Sequence, residues 1–514
     1  MTGQANFNRY DSDGQLDHGR GDPSWSPSGT WRSSSKDSRS PSRNLWLPSP
    51  PHVSTYAPTL PLQYSYQPNN RARWLRELGD LLSFPTISAQ SQHRRDIEAA
   101  ALWLKEHLTR LGLRHAQILP GPNGGHPSVY GDWLLAPGQP TLLFYGHYDV
   151  QPVDPLRDWR TPPFQATRVG QNLFARGASD DKGQFLIHLK AIESYLKTVG
   201  SLPINVKVWL EGEEEINSPN LPALLDREAD RLRADAVLVS DTEMLGQGRP
   251  SIIYGLRGNL NFELEVSGPR HDLHSGRYGG AVLNPLQALC EMIAGLHDRT
   301  GRVTIPGFYD RVREVAHALR QELRCTGPTD ADILTDLDLP QGWGEEGYSL
   351  FERMIIRPAL TVNGISGGYV GPSNKSVIPR KAVARLSMRL VPDQNPEEIA
   401  HLLRRHFTTV KPPAVTTRLK ITGGSPPVII SRRHPALFAA SRALYHTWGV
   451  PPVFTRSGGT IPFVPYLARF GVPVILLGFG LPDDDIHAPN EKISLPNFFR
   501  GVETIIRFLQ EYRL

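Results

Sequence analysis

The side chains best able to do chemistry in this 514-residue chain fall into five compact groups. The first is His147 with Asp149. The second is Ser179-Asp180-Asp181-Lys182-Gly183, and the third is Glu211-Gly212-Glu213-Glu214-Glu215. Ser240-Asp241-Thr242-Glu243 is the fourth. The fifth runs from Asp485 through His487 to Glu491. Two histidines among many carboxylates, with no thiolate, suit a dinuclear zinc centre or another borderline metal. Two metals about 3.5–4 Å apart polarise a carbonyl and generate hydroxide at neutral pH. A carboxylate outside the ligand set can then carry a proton from attacking water to a leaving nitrogen. His147 and Asp149 stand two apart at a strand end, where alternating side chains point the same way. That spacing suits a metal-binding imidazole whose tautomer a nearby carboxylate fixes.

Each group alone has an ordinary structural reading. Asp-Asp before a helix is usually a cap in the favourable field of the helix N-terminus. Adjacent glutamates usually form a solvated face. What reverses that balance is position: every group comes after an apolar run, and open α/β sheets build their sites beyond the carboxyl ends of strands.

The elements that must position these groups are legible as periodicity. Residues 141–145, 204–210, 236–239 and 472–477 read as buried strands. Helical patterns at 183–197, 220–232, 434–447 and 495–512 lie around them. Between about 256 and 425 the texture changes. Residues 261–266 and 383–390 alternate with period two, as half-exposed antiparallel strands do, and helices at 283–297 and 396–407 can cover their other face. The predicted fold class is therefore α/β. A mostly parallel sheet domain spans 71–255 and 426–514 and carries an inserted α+β domain at 256–425. Residues 1–70 are rich in Ser, Pro and Gly without sustained period, and read as a disordered tail.

Composition narrows the class. With 39% hydrophobic and 21% charged residues, the chain fits a globular protein of more than one domain. No apolar run is long enough to span a bilayer, and the N-terminus lacks a secretory pattern, so no membrane partner and a cytoplasmic location are expected. Cys290 and Cys325 make no disulfide framework. The net charge of +5 is small for this length and forms no basic stripe, which argues against nucleic acid.

The five groups closely resemble the M20 family of metallopeptidases. His147-Tyr148-Asp149, Ser179-Asp180-Asp181-Lys182-Gly183, Glu214-Glu215, Asp241 and His487 occur in that family's order, and the resemblance covers residues 71–514. It implies two divalent metal ions, of which zinc, manganese or cobalt would suit the ligands. One would be held by His147, Asp180 and Asp241, the other by Asp180, Glu215 and His487, with Asp180 bridging. Asp149 would orient His147, Glu214 would be the general base and then acid, and the Asp180–Asp181 peptide would be cis. His271-Asp272-Leu273-His274-Ser275-Gly276 resembles the family's lid segment. His274 would then reach a neighbouring active site to steady an oxyanion, which implies a homodimer and makes the inserted domain a lid and dimerisation domain. Arg389 would hold a substrate carboxylate, and Gly458, in Ser457-Gly458-Gly459-Thr460, would belong to the substrate loop. Tyr148, Gln151 and the long insertion resemble the carnosinase-like cytosolic dipeptidase branch. The resemblance thus implies hydrolysis of dipeptides or related small C-terminal amino-acid amides. Deacylation of N-acyl amino acids is the alternative on the same site.

Two other classes compete. Gly364-Ile365-Ser366-Gly367-Gly368 fits the nucleophile-elbow pattern of serine hydrolases, but it lies between expected lid strands, away from any strand-to-helix turn. A non-catalytic binding protein on the same scaffold would have lost ligand positions, and none is missing here.

Overall fold

The computed structural model describes residues 59–469 and 471–513. Its centre is a nine-stranded sheet. In its middle, Asn205–Glu211, Thr141–His147, Ala236–Val239 and Val474–Leu476 lie side by side and parallel. The α/β class holds, but the sheet is mixed. At one margin Ser128–Trp133 and Arg114–Leu119 run antiparallel. At the other, Ser251–Leu256 pairs antiparallel with Val474–Leu476 and Val428–Ile429, and parallel with Val453–Ser457. The central strands are buried on both faces, which is why they read as unbroken apolar runs. The register places His147 opposite Glu211 and Tyr145 opposite Val239, so the strands end nearly level.

Helix Lys182–Thr198 packs on this sheet against Thr141–His147 and against helix Leu495–Glu511. Its N-terminus comes unusually close to the strand end. A Cβ on Gly146 would lie 2.6 Å from Phe185 Cβ and 2.7 Å from Asp181 Oδ2, so only glycine allows this approach beside His147. Helix Arg94–Leu111 carries the expected apolar stripe and ends at Gly112, whose left-handed φ of 98° lets its N–H cap Leu108.

A four-stranded antiparallel sheet runs in the order Ala359–Gly367, Lys381–Leu390, Gly258–Ser267, Thr416–Ser425. Helices Pro285–Ala294 and Pro396–Val410 cover one face. Each sheet has its own apolar core: one drawn from residues 62–256 and 428–512, the other from 260–415. Within the second range, helices His317–Thr326 and Leu350–Ile355 bury a small cluster of their own around Leu323 and Phe351. Among the described residues no helix is long and apolar enough to cross a membrane.

One boundary is corrected. Order begins before residue 71: helices Leu60–Tyr66 and Pro68–Leu82 are well formed, and Leu62, Trp74 and Leu78 join the main core. Pro61 and Pro68, which look like breakers in sequence, sit at helix starts, where proline is tolerated. The rest of the expected tail, residues 1–58, lies outside the described residues. Ser366 of the esterase-like motif sits in the edge strand Ala359–Gly367, paired with Val383, and no helix comes directly after it.

Candidate active site

At the level carboxyl ends of the central strands, four of the five groups meet the fifth. His147 ends its strand with no exposed surface. Its peptide N–H donates to Asp181 Oδ2 at 3.1 Å, and its ring Nδ1–H donates to the Asp149 carbonyl at 3.1 Å. That leaves Nε2 facing Asp180 Oδ1 at 3.0 Å and Asp241 Oδ2 at 3.8 Å. His487 approaches from the opposite side, its Nε2 2.8 Å from Asp180 Oδ2 and 3.2 Å from Glu215 Oε2. Asp180 thus turns one oxygen to each histidine. One ligand atom from each of His147, Asp180 and Asp241 lies within 4.8 Å of the others, and the same holds for Asp180, Glu215 and His487. The Asp180–Asp181 peptide is cis.

The structure also separates three adjacent glutamates that sequence alone cannot. Glu213 turns away: its carboxylate accepts the His126 N–H at 2.7 Å and the Asn220 amide at 2.9 Å. Glu215 faces His487. Between them Glu214 is held only by its backbone, whose N–H donates to Asp149 Oδ1, while the N–H of Glu215 donates to Asp149 Oδ2, each at 3.1 Å. No hydrogen-bond partner among the described residues engages the Glu214 carboxyl. Asp149 therefore touches both the His147 ring and the turn that carries Glu214 and Glu215. Gln151, part of the same strand-end segment, donates its amide to Glu215 Oε2 at 2.7 Å.

The electrostatics are those of crowded carboxylates. Burial, and after it the charge of Asp180, pushes Asp241 up to about 7. Burial also raises Glu214 well above the usual range; His147 opposes this, and Asp241, Glu215 and Asp180 add to it. Asp180 is the exception. Burial acts against its ionisation, but hydrogen bonds from His147 and His487 outweigh it and hold the carboxyl below its ordinary value. Such a surplus of buried acid calls for cations. Two imidazoles and three carboxylates, one of them shared, are a donor set that fits two borderline divalent metals.

The remaining candidates lie apart from this cluster. His274 closes the short strand Leu273–His274, is exposed, and accepts the Gly276 N–H on Nδ1 at 3.0 Å, so Nε2 is its free nitrogen. Arg389 donates to Thr460 Oγ1 at 3.0 Å, and that hydroxyl donates to the Arg257 carbonyl at 2.6 Å. Arg257 Nε in turn donates to the Gly458 carbonyl at 3.1 Å. A Cβ on Gly458 would come within 2.5 Å of the Met354 carbonyl. Arg389 and Gly458 are thus joined through Arg257, which carried no sequence signal of its own.

This strand-end cluster on an α/β sheet with an inserted antiparallel domain defines a metallopeptidase architecture. The chain belongs to peptidase family M20/M25/M40, whose pattern matches residues 143–511. Among its relatives, the Cys-Gly metallodipeptidase DUG1 of Candida albicans is 31% identical over 90% of this chain and 99% of its own. The human Beta-Ala-His dipeptidase is 32% identical over 79% of this chain and 82% of its own. The crystal structure of human carnosine dipeptidase 1 superposes with a TM-score of 0.80 at 28% identity, covering 89% of this chain and 99% of that one.

Proposed function

We propose that this protein is a dipeptidase that hydrolyses the amide bond of small peptides with two divalent ions, zinc by preference, held at the strand-end cluster. The observation that carries the reading is the pair of ligand triplets sharing Asp180, with an unengaged Glu214 carboxyl beside them. His147, Asp180 and Asp241 would hold one ion and Asp180, Glu215 and His487 the other. Bound there, the ions supply a polarised carbonyl and a water that ionises near neutral pH. Glu214 would take up a proton on its carboxylate and return it to the leaving nitrogen. Asp149 keeps the His147 ring in the tautomer that points Nε2 inward. The raised affinity of Glu214 for protons suits a group that must both accept and donate near neutrality.

Residues 59–255 and 426–514 would form the catalytic domain and 256–425 the lid; their separate apolar cores support that division. Arg389, steadied through Thr460, would hold the peptide's terminal carboxylate, with Gly458 in the substrate loop. His274, exposed and with Nε2 free, would serve the site of a second copy, making the working unit a homodimer. Cys290 and Cys325 are exposed and unpaired, which fits the reducing cytoplasm. The relatives do not favour the deacylase alternative.

The test is a panel of dipeptides beside N-acetyl and N-succinyl amino acids, with added zinc or manganese and with chelator. Chelator-sensitive cleavage of dipeptides is expected. Metal-replete protein that cleaves none of them overturns the reading, and cleavage of the acylated compounds alone moves the protein to the deacylase branch.

A further inference from the structure

The segment between Leu481 and Lys492 does more than present His487. At each of its feet a buried carboxylate reaches back to the loop that carries Asp180. Glu491 has no exposed surface. Its Oε1 accepts the N–H groups of Ser179 at 2.9 Å and Asp180 at 3.0 Å. Its Oε2 accepts the Gly177 N–H at 2.9 Å and Arg176 Nη1 at 2.8 Å. Asp484, at the other foot, accepts Ser179 Oγ at 2.9 Å and the Leu481 N–H at 2.8 Å on Oδ2, while Lys492 Nζ reaches Oδ1 at 3.0 Å. Three peptide N–H groups of one short loop therefore end on a single side chain.

We infer that Glu491 is a positioning residue for the shared ligand Asp180, tying it to the segment that carries His487. This inference rests on the dinuclear reading above. A carboxylate has enough lone pairs to accept all four donors at once. An amide does not, since its NH2 group would face donors and leave buried N–H groups unmatched. Because Asp180 is shared, loosening its loop must weaken both cation positions together. Loss of His487, which serves one position from the loop, would weaken only that one.

The experiment is a zinc titration of the metal-free full chain against a chromogenic chelator, with cobalt absorption as a second readout. Wild type should bind two ions. Glu491→Gln should lose about 10–100-fold in affinity at both steps, the usual range for an outer partner of a metal ligand. Ser179→Ala, which removes only the Asp484 hook, should lose less. Amide exchange of residues 177–180 in the metal-free wild type should be slow. Glu491→Gln that folds and binds both ions with wild-type affinity overturns the inference and leaves the dinuclear reading intact. Unprotected amides at 177–180 overturn it even where the Gln variant does not fold. Wild type that binds no zinc sinks the dinuclear reading and the inference with it.

Discussion

Apart from the shared loop residue Asp180, one position draws on strand ends, through His147 and Asp241, and the other on a turn and a loop, through Glu215 and His487. At the inner position the imidazole has no exposed surface, and both its peptide N–H and its Nδ1–H are engaged. At the outer position the His487 side chain is 54% exposed. His487 has a φ of 63°, and Asp485 and Asn490 nearby also lie in the left-handed region, at 53° and 71°. For non-glycine residues such backbone holds only where its surroundings enforce it. The inner position is thus a preformed feature of the core. The outer one depends on a loop anchored at its feet, and it faces solvent, where a peptide would arrive. One shared carboxylate joins two sites of unequal rigidity, so they should fill unequally.

The largest expected effect comes from Glu214, which feels the charges of both positions but should belong to neither. Glu214→Gln should lower kcat by about 10²–10⁴ while both ions stay bound. Metal analysis of the purified variant checks this; loss of an ion would make Glu214 a ligand and redraw the comparison. Next come the two histidines. Structural zinc binding of about 10–16 kcal/mol over four ligands gives roughly 3–4 kcal/mol each, or two to three powers of ten. His487→Ala should lose that at one step of a zinc titration and leave the other near wild type. His147→Ala should damage both, because its ring also holds Asp180 and rests on Asp149. Equal patterns in the two variants would break the comparison. Gln151→Leu, which removes only the amide on Glu215, should weaken the outer step alone by about 10-fold.

The same contrast between core and loop governs how much was legible in the sequence. The central strands are buried on both faces, so they appear as apolar runs, and His147, Glu211–Glu215 and Asp241 stand at or just after those runs, while the Asp180 and His487 groups lie in loops. The convergence at the strand ends is therefore readable from residue order alone. The marginal strands Arg114–Leu119 and Ser128–Trp133 mix polar with apolar residues, so neither period stands out. Helix Leu60–Tyr66 is hidden in a polar, proline-bearing stretch because its stability comes from packing Leu62 on a distant core. The register of Glu213, Glu214 and Glu215 rested on resemblance. Physically it is decided by Asn220 and the His126 N–H, 7 and 87 residues away in the chain. Arg257 bonds distant partners and nothing local marks it, while Glu491 closes the fifth group but takes its role from partners far away in the chain.

An effect on folding, not on metal binding, tests whether the inner wall is really part of the core. His188 lies behind it, its ring tilted against Phe144 with centroids 4.7 Å apart. Its Nε2 is 2.7 Å from Ser240 Oγ, whose own proton goes to the Leu477 carbonyl at 2.6 Å. The ring must therefore donate from Nε2, and its buried Nδ1 has no partner among the described residues. A second proton would sit on Nδ1 against apolar surface, and burial accordingly lowers the pKa to about 3. The unfolded chain takes that proton near pH 6.5. The stability from a neutral His188 is thus fully present above about pH 6.5 and is lost progressively as pH falls toward 3, by about 1.4 kcal/mol per unit. Between pH 6.5 and 5 this amounts to about 2 kcal/mol. Urea unfolding of metal-free wild type and His188→Gln at pH 7.5 and 5 measures it. The variant should lose about 2 kcal/mol less on acidification. Because the inner wall belongs to the cooperative core, the loss should appear in the global transition. A separate early transition confined to the strand ends would mean that the inner position is as local as the outer.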